Sequence, residues 1–217
     1  RTHLLQVESE LAARRNEPGV GELSQVTVQL SRIIDQLHEE VMRARMVPVS
    51  SLFVKFPRLV RDLSRRLNKR VDLVIEGQET ELDRSVIEAI GDPIVHLLRN
   101  AVDHGIEPAE ERRRAGKPET GTVRLSARQE EGHILIAVSD DGQGIDPDQM
   151  RRSAVEKGQL TPEAAAALSD AEAIELIFRP GMSTKEQVTD LSGRGVGMDI
   201  VRTNIERLNG AVEVHTT

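Results

Sequence analysis

Three separated stretches constrain the fold of this chain more than any other feature: His96-Leu-Leu-Arg-Asn100-Ala-Val-Asp103-His104-Gly105, Asp140-Asp-Gly-Gln-Gly144-Ile145 and Gly193-Arg-Gly-Val-Gly197-Met-Asp199. The first lies on a helical pattern. At about 100° per residue, Ile87, Ile90, Ile94, Leu97, Leu98 and Ala101 fall on one face, and Asp92, His96, Arg99, Asn100 and Asp103 on the other. The second closes a strand pattern of Ile134, Ile136 and Val138, so Asp140 lies where the chain leaves a sheet. The third precedes an amphipathic helix. A helix end, a strand exit and a helix start therefore carry the polar and glycine residues, and a fold that joins them builds one pocket.

Each stretch has its own chemistry. His96 and Asn100 stand one helical turn apart and can address one ligand. The Asn100 carbonyl is a hard oxygen suited to Mg²⁺ held jointly with substrate phosphates. Asp140 can accept a hydrogen bond from an adenine amino group, while Gly142 and Gly144 permit positive φ and close backbone approach to the base. Free N–H groups in the Gly193-Arg-Gly-Val-Gly197 loop can meet phosphate at a helix N-terminus. That loop lacks the Gly-x-x-x-x-Gly-Lys-Ser/Thr pattern, and no strand leads into it, so P-loop and dinucleotide-fold readings both fail. Singly, each stretch also reads as a solvated face, an acidic turn or a flexible loop. Jointly they outline an ATP site.

Composition narrows the remaining classes. The 217 residues suit one domain plus a smaller element, and their 38% hydrophobic content permits a real core. With 3 Phe and no Trp or Tyr, aliphatic residues must build it, and stacking platforms for single-stranded nucleic acid are lacking. A net charge of −7 further argues against nucleic acid as a partner. The absence of Cys excludes disulfides and thiolate metal sites. No apolar run approaches the length of a membrane span, and no signal segment opens the sequence, so a cytoplasmic location without membrane insertion is expected.

The expected organisation is two-part. Residues 1–46 read as a helical hairpin: Leu4, Val7 and Leu11 recur at helical spacing, Asn16 to Gly21 breaks the pattern, and Leu23, Val26, Leu30, Ile33, Leu37, Val41 and Ala44 resume it. Two singly striped helices cannot bury their stripes alone, so a four-helix bundle in a homodimer is expected, with packing on its own chain as the alternative. Pro48 ends the second helix, and residues 47–217 form the second domain. Its pattern is a helix from Leu52 to Leu67 broken at Pro57, a strand Val71–Ile75, a helix from about Arg84 to Val102 and strands Thr122–Arg128 and His133–Ser139. There follow a helix near Pro147–Lys157, an alanine-rich segment, a short helix ending at Phe178, a helix from about Gly197 to Leu208 and a strand Ala211–Val214. Such an order predicts an α+β sandwich with helices on one face of a mixed sheet. A start in mid-helix and an end in mid-strand point to a piece of a longer protein.

The three stretches resemble the ATP-binding fold shared by histidine kinases, type II topoisomerases, mismatch-repair ATPases and a heat-shock chaperone. His96 to Glu107, Ser183-Thr-Lys185, Gly193 to Ile200, Arg45-Met-Val-Pro48 and Phe56-Pro-Arg-Leu-Val-Arg-Asp62 resemble the CheA family of chemotaxis histidine kinases in particular, over nearly the whole chain. That resemblance implies ATP and Mg²⁺ as cofactors, with Asn100 the metal ligand and Asp140 the adenine contact. Asp103, His104 and Lys185 would lie near the ribose or phosphates. Gly142, Gly144, Ile145, Gly193, Gly195 and Gly197 would shape the pocket, with Arg99 and Lys185 beside the reacting groups. A lid would run from about Asp146 to Ser192, anchored at Phe178 and hinged at Pro180-Gly181. Ordinary sensor kinases carry Glu directly after the position of His96; here Leu97 stands there, which leaves His96 to orient or deprotonate the acceptor imidazole.

The same resemblance implies an acceptor histidine on a separate phosphotransfer domain, a response regulator downstream, and chemoreceptors plus a coupling protein at a membrane-associated array. It also implies a catalytic domain that is C-terminally incomplete, since a further strand, whose Thr helps water-bridge the adenine, would follow Thr217. His38-Glu39 superficially resembles the phosphorylated histidine of sensor kinases, but Glu40-Val-Met-Arg follows it in place of Leu-Arg-Thr-Pro. His3, His133 and His215 have no motif around them. Two alternatives stay open at this point: a dimeric ATPase of the same fold, and a nucleotide-binding scaffold without catalysis.

Overall fold

The computed structural model describes residues 20–182 and 197–216. The chain divides into two compact units, Arg1–Val47 and Pro48–Thr217. In the first unit, α1 (Val20–Arg45) is one continuous helix. Its row of Leu23, Val26, Leu30, Ile33, Leu37 and Val41 is 46–60% exposed, so the predicted stripe exists as a face. The expected partner helix lies outside the described residues. After α1 the chain is extended over β1 (Met46–Pro48).

The second unit is built on a mixed sheet. Strand β2 (Val71–Glu76) pairs in parallel with the central β4 (Gly121–Glu130), and β4 pairs antiparallel with β5 (His133–Asp140) across a two-residue turn. Alternation decides the faces: Val123, Leu125 and Ala127 are buried, while Arg124 and Arg128 point to solvent. Helices α3 (Phe56–Leu67) and α4 (Arg84–Asn100) pack on each other, with α3 against β2 and α4 against β5. They bury Phe56, Val60 and Leu63 from α3, and Ile87, Ile90, Ile94 and Leu98 from α4. The short strand β3 (Glu81–Asp83) leads into α4, whose first turn is capped by the Asp83 carboxylate accepting the Ser85 N–H at 2.8 Å. With so few aromatics, their placement counts. Phe53 and Phe56 meet at 6.0 Å in the main core, and Phe178 anchors a second cluster.

Three element boundaries differ from expectation. The helix break falls before Pro57: α2 (Ser50–Phe53) ends, α3 begins at Phe56, and Pro57 sits in its first turn, where a missing N–H costs no helical bond. Helix α4 ends at Asn100 and passes into a π-helical turn, Ala101–Gly105, closed by the Ile106 N–H donating to the Ala101 carbonyl at 2.8 Å. No strand forms over residues 211–216. There the alternation of Val212 and Val214 serves packing against Phe178, Met198 and Val201. Alternation selects the side chains that turn inward but does not supply a ladder partner.

Beyond β5, α5 having been inserted earlier at Ala109–Arg114, the chain folds into α6 (Pro147–Glu156), α7 (Pro162–Ala166), α8 (Asp170–Glu175) and a 3₁₀ turn (Leu176–Phe178). The alanine-rich segment is thus helical, started by the Thr161 hydroxyl accepting the Ala164 N–H. Ala154, Leu176 and Met182 form the core of this helical group. Of the expected lid, residues 183–192 lie outside the described residues. The final helix, α9 (Met198–Glu206), packs on α4. No helix among the described residues is long and apolar enough to cross a membrane.

Candidate functional site

The polar face of α4 and the π turn after it supply one wall. Burial lowers the pKa of the His96 imidazole, and the Arg99 charge adds to this, partly offset by Asp199 on α9. His96 is therefore neutral near pH 7, able to accept a proton. One turn on, the Asn100 amide nitrogen donates to the Met198 thioether at 3.4 Å, tying α4 to the start of α9 and leaving Oδ1 as the hard oxygen of that side chain. In the π turn the Lys69 ammonium donates to the Val102 and Asp103 carbonyls at 3.0 and 2.7 Å. Asp103 and His104 stand side by side, with carboxylate and ring nitrogen 3.8 Å apart.

The turn after β5 supplies the other wall. Asp140 accepts the Gly142 N–H at 3.0 Å through Oδ1. Burial is the chief reason that its pKa is raised, and Asp141 and Glu107 add to it, against that backbone hydrogen bond and Lys117. The Gln143 N–H donates to the Gly105 carbonyl at 3.0 Å, and the Gln143 amide donates to the His104 carbonyl at 2.9 Å, so the two walls are laced together. Gly105 is the contact point: a Cβ there would lie 2.6 Å from Asp140 Oδ1. At Gly142 the requirement differs from expectation. Its φ is not positive; a side chain is excluded because a Cβ would collide with the Gly105 carbonyl. Gly144 does adopt positive φ, at 71°. The Ile145 N–H donates to the Thr216 hydroxyl at 3.0 Å.

Gly197 caps α9 in extended conformation, and a Cβ on it would collide with the Asp199 carboxylate. Lys185, Gly193 and Gly195 lie outside the described residues. The rest of the expected set, His96, Arg99, Asn100, Asp103, His104, Asp140, Gly142, Gly144, Ile145 and Gly197, is carried by α4, the π turn, the β5 exit and the start of α9. Leu97 is partly buried and packs against the cluster of Phe178, Met198 and Val201.

Several residues went unassigned in the sequence. Gly105 and Asp199 stood inside the motifs, but their need for space and charge appears only in three dimensions. Lys69, Arg112 and Lys117 are remote in sequence from the turns they support, and nothing in their spacing announces them. The arrangement offers a carboxylate for a base amino group, an amide oxygen for a metal ion and a neutral imidazole, on two segments joined by the Gln143 hydrogen bonds to Gly105 and His104.

Residues 89–217 match the family model described as histidine kinase-, DNA gyrase B- and HSP90-like ATPase. The chain is similar to sensor histidine kinase CheAY of Helicobacter pylori, 52% identical over 215 residues, which is 99% of this chain and 27% of that protein. It is also similar to chemotaxis protein CheA of Treponema pallidum, 55% identical over 185 residues, 85% of this chain and 22% of that protein. The chain thus spans between 22% and 27% of the length of these two relatives. A solved structure, the blue-light activated histidine kinase EL346 of Erythrobacter litoralis, aligns with 100% of this chain and 57% of its own at 16% identity and a TM-score of 0.42.

Proposed function

The chain belongs to the family of histidine kinase-, DNA gyrase B- and HSP90-like ATPases, and from that membership we propose that it is the dimerization and ATP-binding core of a chemotaxis-type histidine autokinase. The observation that supports this reading is the seating of Asp140 against Gly105, at the end of the π turn that continues the helix of His96 and Asn100. The CheA and CheAY relatives at more than 50% identity support the choice of reaction.

In this mechanism the adenine amino group donates to Asp140. The residues present fit a Mg²⁺ ion, because the Asn100 amide carries a hard oxygen that its bond to Met198 does not use; bound there, the ion would neutralise phosphate charge. The β–γ bridging P–O bond of ATP breaks as a histidine nitrogen of the phosphotransfer domain bonds to the γ-phosphorus, and ADP leaves. Neutral His96 takes the imidazole proton or orders the ring, with Arg99 beside it. Lys185, Gly193 and Gly195 are assigned to the phosphates. The exposed apolar face of α1 pairs with a second copy in a four-helix bundle. A response regulator would accept the phosphoryl group, with chemoreceptors and a coupling protein controlling the rate at a membrane-associated array.

The test is phosphoryl transfer from labelled ATP and Mg²⁺ to a separately supplied phosphotransfer domain. Acid-labile label on the acceptor, lost in Asn100→Ala, is the expected result. Free phosphate without labelled acceptor would replace the kinase by an ATPase.

A further inference from the structure

The Arg112 side chain is 0% exposed, although it carries a full charge and touches none of the groups assigned to ATP. Its Nε donates to the Pro118 carbonyl at 2.7 Å. One terminal nitrogen donates to Glu107 Oε2 at 3.0 Å and the Asp141 carbonyl at 3.1 Å; the other donates to Asp141 Oδ2 at 2.9 Å. Beside it, Lys117 Nζ donates to Glu107 Oε1 at 2.7 Å, the Asp141 carbonyl at 3.1 Å and the Gly142 carbonyl at 2.7 Å. Glu107 joins the two cations and is itself only 10% exposed. Burial works against its charge, yet the hydrogen bond from Lys117, with backbone and Arg112 bonds, holds its pKa below the usual range.

The two carbonyls gripped from behind belong to the two peptides whose N–H groups form the front of the site. A trans peptide is planar, with C=O and N–H pointing in opposite directions. Holding the Asp141 carbonyl toward Arg112 and Lys117 therefore aims the Gly142 N–H at Asp140 Oδ1, 3.0 Å away. Holding the Gly142 carbonyl toward Lys117 aims the Gln143 N–H at the Gly105 carbonyl, also at 3.0 Å. Asp141 itself is fully engaged, since its other oxygen accepts the Thr122 N–H at 2.9 Å.

We propose that Lys117 and Arg112 are positioning residues for base selection: bridged by Glu107, they clasp the Asp141 and Gly142 carbonyls from behind and thereby fix the Asp140 carboxylate for an adenine amino group. This inference rests on the reading of Asp140 as the base contact. The hydrogen bonds of Arg112 and Lys117 go to Pro118, Glu107, Asp141 and Gly142, so the clasp acts on the base through peptide orientation rather than by contact with Asp140. A cation pair serving stability alone would not need both carbonyls of this turn.

The test uses the full chain, Lys117→Met and the conservative Arg112→Lys. Lys117 is the main probe because its side chain is 34% exposed, so its loss leaves the buried Arg112 in place. Without nucleotide, amide hydrogen exchange at Gly142 and Gln143 is expected to accelerate in Lys117→Met while amides of β4 stay protected. Calorimetric titration then compares Mg-ATP with Mg-ITP, which lacks the amino group. The unsubstituted chain is expected to prefer ATP, and Lys117→Met to lose about tenfold in ATP affinity with ITP affinity unchanged. Unchanged exchange at the two amides, or an equal loss for both nucleotides, overturns the inference. Accelerated exchange in a chain that never preferred ATP to ITP leaves the clasp standing and overturns the reading of Asp140 instead. Should Arg112→Lys fail to fold, Lys117→Met alone decides.

Discussion

The two walls of the candidate site are held by opposite physics. The Asp140–Gly142 turn is fixed by charge: Arg112, Lys117 and Glu107 make six hydrogen bonds to it and to one another. The Asn100 wall is held mainly by volume where α4 meets α9, with Phe178, Met198 and Val201 filled in by Leu97, Val212 and Val214. At its rim Arg202 stacks 3.7 Å over the Phe178 ring and pairs with Glu175 at 2.6 Å. Hydrogen bonds are steep in distance and angle, whereas dispersion contacts tolerate small shifts. In the proposed function, the wall that reads a base is therefore the stiff one, and the wall that faces the phosphates has room to adjust.

Removing the buried cation is the hardest blow to that contrast. Arg112→Met strips Asp141 and Glu107 of their partner, and a loss of about 3–5 kcal/mol in unfolding free energy is expected from denaturant titration. A loss under about 1 kcal/mol, the scale of a surface pair, would erase the distinction between the walls.

Asp140→Asn comes next, with ATP affinity falling by about 1.5–3 kcal/mol in calorimetry, since an amide replaces the charged acceptor. The pH dependence carries the same information. The adenine contact needs the ionised carboxylate, and burial raises its pKa, so ATP affinity should begin to fall at a higher pH than for an ordinary aspartate as acid is added. For folding without nucleotide the sign reverses: this group's contribution is fully present below its unfolded pKa and lost as pH rises through the folded one.

On the apolar wall, Val201→Ala removes two buried methyl groups. It should cost about 1–2 kcal/mol of stability while leaving the preference for ATP over ITP intact. A collapse of that preference would mean that the walls are not independent. Thr216→Val is the mildest change. It deletes the hydroxyl that accepts the Ile145 N–H, and a loss of about 0.5–1.5 kcal/mol is expected by thermal unfolding.

What the linear chain determined is local. Periods of two and about 3.6 residues specified β4, β5 and the two faces of α4, because each element must turn its apolar side chains inward whatever its neighbours. The same pattern set α1 apart as a helix with one apolar stripe. Motif chemistry nominated His96, Asn100 and Asp140, since amide, imidazole and carboxylate have the same functional groups in any fold.

Tertiary structure alone decided the rest. The Val212 and Val214 alternation became packing without a strand, because a ladder needs a neighbour that the segment itself cannot provide. The helix at Asn100 loosened into a π turn whose carbonyls Lys69 satisfies from another element. Gly142 proved to be glycine for the nearness of Gly105 rather than for its own φ. Lys117, far from Asp140 in sequence, grips the turn that orients it. Charges, clashes and hydrogen bonds act through space, so the residues that aim a site can be recognised only once the chain has folded around them.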